Sequence, residues 1–222
     1  MSEETLRERL RTSTRALHDD LERVVDIDRR IATKREYRAH LLRLWALHTA
    51  IERTTERFDF APLGFDYRGP HRSALLERDL EDLGIVSGAL SALHLPDAPV
   101  WETSHAALGA LYVVEGSAKG ARAILPIIRA RLGYRPEHGA AYFFGFGAET
   151  ATLWRAIVTA INCIEPDSGA GESACGGARA TFALFHHWLD PARTDPLEDA
   201  ILHQAVNPEA APSRAPFRRS TA

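Results

Sequence analysis

The chain has 222 residues, of which 45% are hydrophobic and 26% charged, with a formal net charge of −3. These proportions suit one folded domain and exclude extended disorder and collagen-like, mucin-like or disulfide-dense scaffolds; the two cysteines, Cys163 and Cys175, make no framework. The balance leaves no basic field for nucleic acid, no apolar run reaches the roughly 18 residues of a membrane span, and the charged N-terminus lacks the apolar stretch of a secretory signal, so a cytoplasmic protein is expected.

Leu6, Leu10, Leu17, Leu21 and Val24 fall on one side of a helix. They predict a first helix over residues 2–25, capped by Ser2 with Thr5 nearby. Thr33 and Glu36 have the spacing of a capping box. They open a second helix that carries Tyr37, Leu41, Leu44, Trp45, His48 and Ile51 and ends near Phe58. Pro and Gly make 61–70 a loop. A third helix follows over 71–83 and stops at Gly84; 90–99 is a loop broken by Pro96 and Pro99. Over 101–132 the helical period runs on through Gly109, Gly116, Gly120 and Pro126, which predicts a kinked helix or two helices in series. Residues 133–147 form a loop, helices follow at 148–164 and 172–189, and 166–171 breaks them apart. No stretch alternates long enough for a strand, and no repeat is visible. The expected architecture is all-α: one multi-helix domain over 1–206, with some six main helices, and a disordered, Pro- and Ala-rich tail over 207–222.

Two segments carry candidate chemistry. In the first helix Arg11, Arg15, His18 and Glu22 stand at i, i+4, i+7 and i+11, one stripe along one face. His18 can offer a ring nitrogen to a metal, with Glu22 orienting the ring from one turn on. The arginines can hold carboxylates through charge-assisted hydrogen bonds. A solvated charged face has the same pattern. In the fourth segment Gly109, Gly116 and Gly120 share a face, with Ser117 beside them. Each glycine costs a helix about 1 kcal/mol against alanine, so something must press on that face. It is either another helix or a flat ligand. Together, one axial ligand with cations nearby and one helix stripped of side chains suit a planar, carboxylate-bearing metal macrocycle.

The sequence resembles the haem oxygenase family, in particular the bacterial members that make bilin for phytochromes. The resemblance rests on Leu10-Arg11-Thr12-Ser13-Thr14-Arg15-Ala16-Leu17-His18-Asp19-Asp20-Leu21-Glu22, on Leu111-Tyr112-Val113-Val114-Glu115-Gly116-Ser117 with Gly120, and on Ala178-Arg179-Ala180-Thr181-Phe182 running to Trp188-Leu189. It implies a helical bundle with a kinked distal helix. It implies His18 as the iron ligand, Glu22 as its ring partner, Arg11 and Arg15 at the haem propionates, and Gly116, Ser117 and Gly120 at the distal face. It also implies the activity: haem, both substrate and cofactor, is cleaved with oxygen to biliverdin, carbon monoxide and ferrous iron. The expected partners are a redox donor, such as ferredoxin or a flavoprotein reductase, and a bacterial phytochrome. Three positions depart from the family pattern. Ser117 stands where many members have Asp, as in the phytochrome-linked branch; Gly120-Ala121 replaces two glycines; Lys119 replaces an apolar or small residue.

Other candidates carry less. Glu102-Thr103-Ser104-His105 is half of a di-iron motif without its second half. His40, His48, His186 and His187 read as hydrogen-bonded histidines, and both cysteines as buried small hydrophobes. The alternatives to the enzyme are a non-catalytic haem carrier or sensor and a haem-free helical enzyme, di-iron or thiamine-related.

Overall fold

The first helix opens at Thr5 rather than Ser2. In the computed structural model, which describes residues 4–67, 71–85, 87–91 and 93–193, α1 spans Leu6–Val25. The Thr5 hydroxyl accepts from the Glu8 amide, and the Glu8 carboxylate accepts back from the Thr5 amide at 2.8 Å. That reciprocal cap satisfies two otherwise orphaned donors and fixes the start. Ser2, the Lys119 side chain, the boundary at 206 and the tail over 207–222 lie outside the described residues. Asp26 ends α1 in a left-handed conformation, and its side chain caps the single turn α2 (Ile27–Arg30).

Thr33 caps α3 (Lys34–Thr55), as its spacing predicts. Helix α4 (Arg72–Asp82) follows, then the short α5 (Ser87–Leu90). The long glycine-rich stretch is two helices in series. Helix α6 (Ser104–Ala121) runs unbroken through all three glycines, a 3₁₀ turn occupies Arg122–Ile124, and α7 (Leu125–Leu132) restarts with Pro126 in its first turn, where a missing N–H is harmless. The loop expected over 133–147 contains one helical turn, α8 (Ala141–Phe144). Its leading amides, Ala141 and Tyr142, donate to the buried Asp79 carboxylate at 2.7 and 2.8 Å. Helix α9 spans Ala148–Asn162. Helix α10 (Gly169–Leu189) begins earlier than the sequence suggests, because Ser168 caps it through the Gly171 amide. Gly171 has to be glycine: a Cβ there would stand 2.4 Å from the Pro166 carbonyl oxygen.

Helix α10 lies against both α1 and α6, α9 packs on α6, and α4 packs on α3. One apolar core joins α3, α4, α7, α8 and the end of α10; the other joins α1, α6, α9 and the middle of α10. The α6–α10 crossing is built on small residues. A Cβ on Gly109 would lie 1.9 Å from the Ala174 carbonyl oxygen, and one on Gly177 would lie 1.9 Å from that of Ala106. Gly109 therefore serves helix packing, one of the two uses left open for these glycines by the sequence. The all-α, single-domain architecture is the expected one. Among the described residues there is no strand beyond isolated bridges from Arg135 to His138 and Gly139, and no helix is long and apolar enough to cross a membrane.

Candidate functional site

Helix α1 is buried most deeply in its first half. Leu6, Leu10 and Thr14, one turn apart, are buried. Beyond them Leu17 and Leu21 are only half-buried, and Arg15, Ala16, His18, Asp19 and Glu22 are exposed. The His18 side chain keeps 52% of its surface and meets Phe182 of α10 edge-on, with ring centroids 6.0 Å apart. Its Nδ1 lies 3.8 Å from Glu22 Oε1 and 3.9 Å from Asp19 Oδ1. Both carboxylates sit at the Nδ1 edge, which favours a proton there and leaves Nε2 the ring nitrogen available to a metal.

Arg11 and Arg15 are exposed, and neither makes an ion pair with a described residue. Arg11 acts on Tyr112 of α6, and so does Arg7, one turn earlier. Burial raises the Tyr112 pKa while the two guanidiniums pull it down. Arg7 was legible in the same i, i+4 stripe, yet the stripe as read from the sequence stopped at Arg11. Among the described residues no partner across the fold marks the position of Arg15.

On α6 the remaining glycines face different surroundings. A Cβ on Gly116 would meet the Trp154 ring of α9 at 3.3 Å, whereas one on Gly120 would meet nothing within 4 Å. Ser117 is exposed, and its hydroxyl donates to the Val114 carbonyl at 2.8 Å. Ala121 turns the other way and packs on the core built on α3 and α4.

Behind Gly116 lies a polar cluster that no sequence spacing announces. Glu115 and Arg72 form a buried ion pair. Tyr67 donates to Glu115 at 3.3 Å, and the guanidinium lies 5.2 Å from the centre of the Phe146 ring. Burial opposes the Arg72 charge, but Glu115 outweighs it and lifts the guanidinium pKa above its usual value. His48 Nε2 pairs with the Tyr142 hydroxyl at 2.9 Å, and the Ser73 amide and hydroxyl both donate to Glu52.

The lesser candidates separate. His186 pairs with Asp20 at 2.9 Å; His40 and His48 are buried. Cys175 is buried as expected, but Cys163 is exposed, because it caps the end of α9 at the surface. Glu102 is exposed just before α6 and His105 lies in its first turn. Among the described residues only His18, Asp19 and Glu22 bring three possible metal ligands together.

The sequence profile of the heme oxygenase family matches residues 4–191. The chain belongs to the haem oxygenase family. In fold it is similar to the haem oxygenase of Neisseria meningitidis, whose crystal structures were determined with nitric oxide and carbon monoxide bound. That similarity has a TM-score of 0.66 at 24% identity and covers 91% of this chain and 92% of the other. Among curated proteins no relative matches. Haem oxygenases degrade haem, which is at once their substrate and their cofactor.

Proposed function

We propose that haem binds between the exposed face of α1 and the glycine face of α6, and that the chain opens it to biliverdin, carbon monoxide and ferrous iron. The observation that carries this reading is the pairing of an exposed imidazole with a bare helix face. His18 leaves Nε2 free on the exposed face of α1, and Gly120 looks into open space where any other residue would put a side chain. These residues fit a planar group that needs one axial nitrogen and one unobstructed face.

In this reading His18 holds the iron through Nε2, and Glu22 keeps the ring proton on Nδ1. Arg11 and Arg15 take the propionates, so that the macrocycle enters in one orientation. Gly120 lets α6 approach the porphyrin plane, with the Trp154 indole standing over Gly116 one turn earlier. The Ser117 hydroxyl is committed as a donor to Val114, so its lone pairs can hold a water beside that face. Bound haem supplies the iron chemistry that oxygen cleavage needs. The electrons come from a partner such as ferredoxin or a flavoprotein reductase. With Ser117 in place of the commoner Asp, a bacterial phytochrome is the proposed recipient of the bilin.

The test is to load the purified protein with hemin, add reductant in air, and follow the Soret band. Its decay with the appearance of a bilin absorbance is the expected result. A haem spectrum that persists through repeated additions of reductant would leave a carrier or sensor in place of an enzyme.

A further inference from the structure

Gly116 and Gly120 stand one turn apart on α6, so similar neighbours would be expected. Instead Gly116 is bare for an indole: the Trp154 ring lies 3.3 Å from where its Cβ would be, and only Gly120 faces open space. The Trp154 ring also lies 5.5 Å from that of Tyr112, tilted by 33°. Trp154 thus reaches across one turn of α6, from Tyr112 to Gly116. Tyr112 in turn lies within reach of the Arg7 and Arg11 charges. Tyr112 and Trp154 form an aromatic edge from α6 to α9, within reach of the α1 charges, and it ends where the open glycine face begins.

Building on the haem reading above, we infer that Trp154 is a specificity-determining residue: its indole is the side wall that stops the porphyrin edge and fixes how the macrocycle is turned in its own plane. A planar ring with two side-chain torsions, held between Tyr112 and the Gly116 backbone, makes a stiffer stop than an aliphatic chain. The in-plane setting decides which edge of the ring faces the site of oxygen attack. Trp154 acts through the position of the substrate and takes no part in proton or electron transfer.

The experiment compares wild type, Trp154→Phe and Trp154→Leu, each reconstituted with hemin. Proton NMR of the haem methyl groups in the cyanide complex reports the in-plane setting without turnover, and chromatography of the bilin reports the isomers. The expected result is hemin affinity within tenfold of wild type, displaced or doubled methyl resonances, and a changed isomer ratio, with the larger change in Trp154→Leu. If Trp154→Leu does not fold, Trp154→Phe carries the test, because the smaller ring still withdraws the wall from Gly116. Wild-type methyl shifts and isomer ratio in a folded variant would overturn the inference. Failure of wild type itself to take up hemin would instead overturn the haem reading on which it rests.

Discussion

The Arg72 guanidinium and the Glu115 carboxylate meet in a two-point ion pair, with both side chains almost wholly buried, one residue before Gly116. The pair ties α4 to α6 at the level of the glycine face. Burying two charges gains little net stability, but removing one partner strands the other in the core. Glu115→Leu should therefore destabilise the fold by about 3–5 kcal/mol. The double change Arg72→Met with Glu115→Leu should recover most of that loss. Urea unfolding of the three proteins checks it: a single variant within 1 kcal/mol of wild type, by the same principle, would show that water reaches the pair.

Gly109 and Gly120 should respond to alanine with opposite signs. At Gly109 the new methyl would run into the Ala174 carbonyl, so α6 and α10 must separate. The cost should be at least the roughly 1–3 kcal/mol of an overpacked core. At Gly120 nothing stands within 4 Å, so Gly120→Ala should raise the stability of the haem-free protein by up to about 1 kcal/mol, the helix-propensity gain. The same methyl should weaken hemin binding. Thermal melts with and without hemin separate the two effects; a Gly120→Ala variant less stable than wild type without hemin would mean that its face is covered.

Two buried histidines predict an acid limb. Burial, followed by the charges of Arg30 and Arg43, holds His40 down to about 3; burial and then Arg72 do the same to His48. Both stay neutral in the fold, while the unfolded chain takes up protons near the ordinary value of 6.5. Their contribution is complete above that value and is lost as the pH falls from 6.5 towards 3. Each histidine should add up to about 1.4 kcal/mol per pH unit to that slope. Among the described residues His40 Nδ1 has no hydrogen-bond partner, so His40→Leu is a mild change and should flatten the acid limb. Equal slopes for wild type and variant would contradict the assignment.

Much of this fold was legible in the sequence because its signals are local. The α1 face repeats Leu6 and Leu10 at helical spacing, and the Thr33 cap needs only Glu36 three residues on. The His18 stripe was legible for the same reason. What escaped is non-local. Gly109 and Gly120 look alike in the sequence, and only the path of α10 decides that one is a packing residue and the other faces space. Arg72 and Glu115 lie 43 residues apart, and Trp154 comes from yet another helix. No spacing rule joins such residues. The start of α1 was missed because both Ser2 and Thr5 are good caps, and the reciprocal bond with Glu8 decides between them.

If Arg11 and Arg15 hold the propionates, reversing both charges should weaken hemin binding by a couple of kcal/mol, about thirtyfold. Arg11→Glu with Arg15→Glu touches no ion pair among the described residues, so the fold should survive. Hemin titration at low and high salt checks the claim. Affinity equal to wild type at both would show that the stripe faces solvent in the complex.

The most direct test of the account is hemin titration of wild type and His18→Ala. His18 is exposed and meets the core only at the edge of Phe182, so its loss should leave circular dichroism helical. Wild type should take up one equivalent of ferric haem with a histidine-ligated spectrum. His18→Ala should lose that signature and regain it on addition of free imidazole. An unchanged Soret band in folded His18→Ala would contradict the account, because the iron would then be held by a different residue.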